Sequence, residues 1–158
     1  MNKKYGFTLI ELLTVVVILG ILTSIALPQY RKAIQRAEAA NMLSSLKTVF
    51  DSAKRYYSSS GTWPSTLSGL DTTIQLNPGS TNQSGEYQFS FNTTYRSISV
   101  CKLNDSNACT YSFMAYYKHP NLDEERDVYT CNPGNSTKFQ SLCESFGSRK
   151  DGTNTIVE

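Results

Sequence analysis

The sequence predicts an α+β fold in which a long N-terminal α-helix packs on a four-stranded antiparallel sheet. Three observations predict it. Residues 7–27 form a predominantly apolar run, and residues 28–60 carry apolar residues at steps of three and four. After residue 85, apolar and polar residues alternate in short segments. A meander of strands laid on the apolar stripe of a helix buries both apolar surfaces.

Composition and charge exclude one class of function. The 158 residues suffice for one domain with an accessory element, and the net charge is only +2. A nearly neutral chain lacks the electrostatic footprint of a nucleic-acid-binding protein. The charge is unevenly spread, because residues 28–55 hold six basic and two acidic residues whereas residues 56–158 hold seven and ten. A basic stem and an acidic head suit packing between copies of the chain.

The apolar run is long enough to cross a membrane. As a helix, residues 7–27 would extend about 31 Å, which matches the hydrocarbon thickness of a bilayer. Lys3 and Lys4 precede the run, so the positive-inside rule places the N-terminus in the cytoplasm and exports the rest. Glu11 lies inside the run, where a carboxylate costs roughly 2.5–3.5 kcal/mol on insertion scales. A residue of this kind is a candidate functional group.

Three interpretations of the run remain open at this point. A signal peptide would be cleaved after Ala26 and release a soluble protein that begins at Leu27. A plain anchor would span the membrane, and neither of these two explains Glu11. Cleavage after Gly6 would instead give Phe7 a positive amine one helical turn from Glu11, which could pair with its own terminus or with that of a neighbouring copy.

The second half of the helix is predicted to be amphipathic. Pro28 removes one backbone hydrogen bond and should bend the helix without ending it. The segment Ser58–Gly61 stops it. One apolar stripe is predicted to bury itself against the chain's own domain, and it comprises Tyr30, Ile34, Ala37, Ala40, Leu43, Leu46, Phe50, Ala53 and Tyr57.

Four strands follow a loop that is predicted over residues 61–85. Alternation marks the first and third strands clearly, and the fourth is the shortest. The residues that define the four strands in order are Tyr87, Phe89 and Phe91; Ile98, Val100 and Leu103; Tyr111, Phe113, Ala115 and Tyr117; and Val128 and Thr130.

The four cysteines are predicted to form disulfides in an oxidising compartment, because their number is even and they follow the apolar run. Three pairings are possible. Cys101 and Cys109 bracket a seven-residue segment between neighbouring strands and could staple that hairpin, and Cys131 and Cys143 bracket a segment after the last strand. A metal site is disfavoured, since no C-x-x-C occurs and the single histidine is His119.

No constellation predicts an enzyme, a cofactor or a metal. The chain lacks a Gly-rich phosphate loop, an H-E-x-x-H motif and a nucleophile elbow. His119, beside Pro120, is predicted to be a loop residue. The acidic segment 121–127 (Asp123, Glu124, Glu125 and Asp127) lacks the spaced ligands and central Gly of a calcium loop, so a solvated loop is predicted there.

The stretch K-K-Y-G-F-T-L-I-E-L at residues 3–12 resembles the processing signal of type IV prepilins and of the related type II secretion pseudopilins. The resemblance implies a leader of residues 1–6 that a membrane peptidase removes after Gly6. It implies N-methylation of Phe7 by the same enzyme and an assembly role for Glu11. Gly20 and Pro28 fall where family members commonly carry helix-breaking residues.

The resemblance also implies the rest of the architecture and the partners. A lollipop-shaped pilin would have a transmembrane and filament-core helix at 7–27, the amphipathic half of the same helix at 28–60 and a globular β head at 61–158. A Cys131–Cys143 pair would bound a C-terminal loop, as in many type IVa pilins. The region that links helix to sheet is variable and surface-exposed in this family.

The function expected from this resemblance is structural. The chain would sit in the inner membrane with its head outside, before a platform protein and assembly ATPases add it to an extracellular homopolymer of pilin subunits. Adhesion, twitching motility or DNA uptake would then belong to the filament. A minor pilin and a type II secretion pseudopilin are the nearest alternatives, and a secreted binding protein cleaved after Ala26 is a remote one.

Overall fold

The computed structural model describes residues 7–117, 127–147, 150–152 and 154–157. They form two compact units that divide between Glu38 and Ala39, both of which lie in helix α1 (Leu9–Ser60). The remaining elements are β1 (Gln83–Ser84), β2 (Tyr87–Asn92), β3 (Ser97–Leu103), β4 (Cys109–Tyr116), β5 (Val128–Asn132), α2 (Thr137–Glu144), β6 (Lys150–Asp151) and β7 (Asn154–Val157).

The first unit is helical from Leu9 onward, predominantly apolar up to Leu27 and richer in charged residues after Pro28. Helix α1 is long and apolar enough to cross a membrane by length and composition, and none of the side chains in its most apolar window is buried. The helix continues through Gly20 and Pro28 without interruption. Pro28 cannot donate the hydrogen bond that the helix would otherwise make at this position, yet the chain on either side keeps helical structure.

The second unit is an antiparallel sheet packed on the last third of α1. The strand order is β1-β2-β3-β4-β5-β7-β6, and every neighbouring pair is antiparallel. The core joins Leu46, Val49 and Phe50 of the helix to Phe89 and Phe113 of the sheet. Alternation sends these aromatic residues to the helix side, because successive side chains of a strand point to opposite faces. The α+β prediction is therefore confirmed.

The predicted number of strands was wrong. The four predicted strands correspond to β2, β3, β4 and β5 at the centre of the sheet, and the structure adds β1, β6 and β7. β1 and β6 have two residues each, which is too short for alternation to be visible. β7 has four residues and pairs with β5 through three residue pairs.

Two predictions about burial also need correction. The apolar stripe of α1 was expected to be buried from Tyr30 onward, but Tyr30, Ile34, Ala37 and Ala40 are exposed and burial begins at Ala39. Periodicity identifies an apolar face but not its partner. The segment 61–85, expected to be a surface loop, contains β1. It also contributes to the core, because the Trp63 and Leu67 side chains are buried.

Candidate functional site

The first residues that the structure describes are not helical. Phe7 and Thr8 precede α1, which begins at Leu9, and the Phe7 side chain is 80% exposed. Gly6, the predicted cleavage residue, and the leader of residues 1–6 lie outside the described residues. The predicted N-methylation residue therefore belongs to a short non-helical segment that leads into the helix.

Thr8 and Glu11 form a reciprocal cap at the start of α1. The Thr8 backbone N–H and the Thr8 hydroxyl both donate to Glu11 Oε2, at 2.8 and 2.6 Å. In return the Glu11 N–H donates to Thr8 Oγ1 at 3.3 Å. This is a capping box, in which a Thr at the N-cap and a Glu three residues later satisfy each other's backbone donors. Glu11 also lies in the first turn of the helix, where the helix dipole favours a negative charge.

Thr8 is the functional residue that sequence reasoning missed. The pattern T-x-x-E directly before an apolar run is itself a signature of a helix start, and it is readable at residues 8–11. Glu11 was interpreted only as an acid in need of a positive partner. The structure gives this carboxylate two hydrogen-bond donors within its own chain.

The other polar side chains of the apolar run bond to the helix backbone. The hydroxyls of Thr14, Thr23 and Ser24 donate to carbonyls three or four residues earlier, at distances between 2.6 and 3.1 Å. Because these hydrogen bonds are made within the helix, the hydroxyl groups would not need water as a partner if the helix faced lipid. Within residues 7–27, Glu11 is the one residue with an ionisable side chain.

Gly20 leaves open space beside the helix. A Cβ placed on Gly20 would meet no heavy atom within 4 Å, and the Gly20 carbonyl accepts one of the hydrogen bonds from the Thr23 hydroxyl. Gly20 and Pro28 are the residues at which helix breaking was predicted, and in the single chain both lie inside α1. Their role in loosening the helix within a filament stays a prediction.

Two disulfides tie the second unit together. Cys101 of β3 is joined to Cys109 at the start of β4, with 5.7 Å between their Cα atoms. Cys131 of β5 is joined to Cys143 of α2, with 5.4 Å between their Cα atoms. These are the two pairings preferred from the sequence. The segment bounded by the second pair, expected to be a loop, contains helix α2.

Asp127 is the part of the predicted acidic segment that the structure describes. The Lys54 ammonium contacts the Asp127 carboxylate at 2.5 Å and the Asp51 carboxylate at 3.1 Å. Burial opposes the charge on Lys54, but hydrogen bonds to Asp127 and Asp51 and their negative charges outweigh it and raise the pKa of Lys54. Burial is the main cause that raises the pKa of the neighbouring Tyr129, and the two carboxylates add to it.

Metal binding finds no support in the described part of the chain, which contains no group of three or more potential ligands. Residues 118–126, which include His119, Asp123, Glu124 and Glu125, lie outside the described residues. Of the acidic segment at residues 121–127, for which a solvated loop was predicted in place of a calcium loop, the structure describes only Asp127, and its carboxylate accepts a hydrogen bond from Lys54.

Comparisons with known proteins identify the N-terminal segment. Residues 1–27 match the family model of the prokaryotic N-terminal methylation motif. The chain is similar to the fimbrial protein EcpC of Eikenella corrodens, with 37% identity over 44% of this chain and 46% of the relative. The chain therefore carries an N-terminal methylation motif and is similar to fimbrial proteins. A fimbrial protein of Pseudomonas aeruginosa is 48% identical over 34% of this chain and 36% of its own length.

The likeness does not extend over whole chains. A fimbrial protein of Neisseria meningitidis serogroup B is 36% identical over 45% of this chain and 43% of its own length. The matched region thus spans less than half the length of these curated relatives. Their names describe fimbrial proteins and not enzymes, in agreement with the prediction of a non-enzymatic chain.

Proposed function

We propose that the chain is a structural subunit of a type IV pilus, cut after Gly6, N-methylated at Phe7 and polymerised into a helical filament. One observation carries the proposal. An apolar helix exposes its side chains on all sides from Leu9 to Leu27, and its single carboxylate lies at Glu11, four residues after Phe7. A globular chain does not keep so large an apolar surface in water, so lipid or other copies of the helix must cover it.

Cleavage after Gly6 would turn Phe7 into a positively charged N-terminus beside Glu11. Phe7 and Thr8 are exposed and not helical, which suits entry into a peptidase, because the capping box starts the helix only after this segment. In a filament, the Glu11 carboxylate would pair with the Phe7 amine of an adjacent subunit at a staggered height. The apolar helices would then exchange lipid contacts for helix contacts at little cost.

The location and partners follow from this scheme. Before assembly the helix spans the inner membrane with its N-terminus in the cytoplasm and its head outside. A prepilin peptidase that is also the methylase processes it. An inner-membrane platform and an assembly ATPase then move it into an extracellular pilus, where other copies of the chain are its neighbours. The subunit needs no cofactor for this structural role.

The nearest alternative is a type II secretion pseudopilin, which shares the N-terminal signal. The names of the three similar proteins described above, all fimbrial, favour a pilus subunit. The remote alternative is a secreted binding protein that begins at Leu27. Adhesion, motility or DNA uptake would be properties of the assembled filament.

Intact mass and N-terminal fragmentation of the mature protein test the processing step. We expect a chain that begins at Phe7, carries one additional methyl group and lacks four hydrogens because of its two disulfides. A chain that begins at Leu27 would refute the proposal. An unprocessed chain that begins at Met1 and still assembles would refute cleavage as a requirement.

A pair of variants separates the charge of Glu11 from its capping role. Glu11→Gln keeps a capping-box side chain but removes the negative charge, whereas Thr8→Ala weakens the cap by about 1 kcal/mol and keeps the charge. With each variant as the only subunit, we expect both to be cleaved and only Glu11→Gln to lose filaments. Normal piliation by Glu11→Gln would contradict the pairing of Glu11 with the Phe7 amine.

A further inference from the structure

Three basic residues of α1 follow directly after the apolar run. Arg31, Lys32 and Arg36 are all exposed in the first compact unit. The ion pairs formed within the described ranges involve other cations, and none of these three has a carboxylate within 4 Å there. Positive charges that are grouped and unpaired in this way are available to an anionic partner.

The three basic side chains share one side of the helix. At 3.6 residues per turn, Arg31, Lys32 and Arg36 fall within an arc of about 140°. Tyr30 and Ile34 lie outside that arc, and their side chains are 65% and 41% exposed. The helix is therefore apolar on all sides within the run, and after the run it has one basic side and one apolar side.

The position of these residues along the helix places them at the level of lipid headgroups. If residues 7–27 fill the hydrocarbon layer, Arg31 and Lys32 lie about 6 and 8 Å beyond Leu27, and the headgroup zone is roughly 5–8 Å deep on each side. Arg36 lies about 14 Å beyond. Its long side chain tilts towards the helix N-terminus and hence back towards the membrane.

We propose that Arg31, Lys32 and Arg36 form a headgroup-binding surface for anionic phospholipids in the outer leaflet of the membrane. The inference rests on the membrane-anchored stage of the proposed function. Guanidinium groups bind phosphate oxygens in a bidentate manner, and the ammonium of Lys32 adds a third charge. Tyr30 supplies the amphipathic aromatic ring that commonly lies at this interface.

The choice of lipid over a second copy of the chain rests on continuity with the apolar run. Wherever that run lies in hydrocarbon, the three cations reach the headgroup layer without any further assembly step. The surface would therefore set the depth of the subunit and resist its withdrawal from the membrane. Extraction into a filament would have to break these contacts, so the same residues tune how readily a subunit leaves the bilayer.

Lipid selectivity of the full chain in vesicles tests this inference. The probes are spin-labelled phosphatidylglycerol and spin-labelled phosphatidylcholine, and the measured quantity is their relative association with the protein. Each basic residue near an anionic surface favours binding by about fivefold. We expect wild type to prefer phosphatidylglycerol by at least about fivefold, the contribution of one basic residue, and the triple variant Arg31→Gln/Lys32→Gln/Arg36→Gln to approach equal association with both lipids.

Controls make the result specific to this surface. Arg31→Lys/Arg36→Lys keeps the charges and should keep most of the preference, whereas Lys47→Gln/Arg55→Gln removes exposed charges in the second unit and should leave it unchanged. Equal selectivity of wild type and the triple glutamine variant would overturn the proposal. Loss of the preference on addition of soluble glycerophosphate would also overturn it, since it would show a site for free phosphate.

The outcome can be separated from that of the proposed function. If wild type inserts into vesicles and forms filaments but shows no lipid preference, the headgroup-binding surface is wrong and the pilus proposal stands. If wild type fails to insert into vesicles of either lipid, the membrane-anchored stage itself is refuted.

Discussion

Gly147 is a residue at which a single methyl group should disturb the C-terminal edge of the sheet. It follows α2 and approaches the backbone of β7 so closely that a Cβ built on it would lie 1.8 Å from the Ile156 carbonyl oxygen and 2.9 Å from the Ile156 carbonyl carbon. These are backbone atoms, which cannot rotate away. Gly147→Ala must therefore displace either the segment after α2 or strand β7.

The size of the effect follows from what β7 contributes. Displacing β7 exposes the side chain of Ile156, now 5% exposed, which costs about 1.5–3 kcal/mol. It also breaks pairing with β5 at three residue pairs, at about 0.5–1.5 kcal/mol for each lost hydrogen bond. With about three hydrogen bonds lost, a decrease of about 3–7 kcal/mol in the free energy of unfolding is expected, which is a large part of the stability of a domain of this size.

Urea unfolding of the full chain in detergent micelles measures this loss, and amide hydrogen exchange of Thr155 and Ile156 locates it. Gly20→Ala is the matched control, because the same methyl group would meet nothing within 4 Å there. The control should leave the unfolding midpoint of the head unchanged. A Gly147→Ala protein with wild-type stability and protected β7 amides would refute the steric argument.

Further predictions concern the disulfide in the core, the alkaline limit of stability and the buried indole. Cys131→Ala/Cys143→Ala should lower the free energy of unfolding by about 3 kcal/mol on the chain-entropy model, measured by urea titration under non-reducing conditions. Because the pKa of Lys54 is raised in the folded chain, its stabilising contribution is complete below the ordinary pKa of lysine and is lost as pH rises through the folded value. Lys54→Met should therefore make the decline of stability above about pH 10 shallower, which unfolding curves recorded across that pH range would show. Tyr129→Phe is the control, because the raised pKa of Tyr129 contributes to the same decline. The Trp63 Nε1 donor is buried without a partner among the described residues, so Trp63→Phe should change the urea-derived stability by less than about 1 kcal/mol, because loss of the unpaired donor offsets lost packing.

The parts of the fold that were predicted correctly are those with long periodic patterns. Tyr87, Phe89 and Phe91 alternate over one whole strand, and Phe50 and Ala53 lie on the buried face of the helix. A pattern of this length fixes both the element and its buried side. The small edge strands could not be predicted, because a strand of two residues is defined by its partner and not by its own sequence.

The errors along α1 have a different physical cause. Tyr30 and Ile34 continue the apolar stripe of the helix, yet the chain's own sheet does not cover them. A hydrophobic period states that a face prefers to be covered, but it does not say whether the cover is the same chain, another chain or lipid. The opposite error occurred at Trp63, where a polar and Gly-rich neighbourhood hid a core residue.

The capping box changes how the cost of Glu11 in the membrane should be understood. A carboxylate that accepts two hydrogen bonds from Thr8 is partly compensated within its own chain, so insertion of the free subunit does not require a positive partner. Its negative charge nevertheless remains, and in an apolar surrounding that charge attracts an amine far more strongly than in water. Helices that are otherwise uniformly apolar gain little from choosing one neighbour over another in lipid. On the proposal above, Thr8 therefore makes Glu11 tolerable in the single subunit, and the charge that Thr8 does not neutralise selects the register in which the next subunit joins.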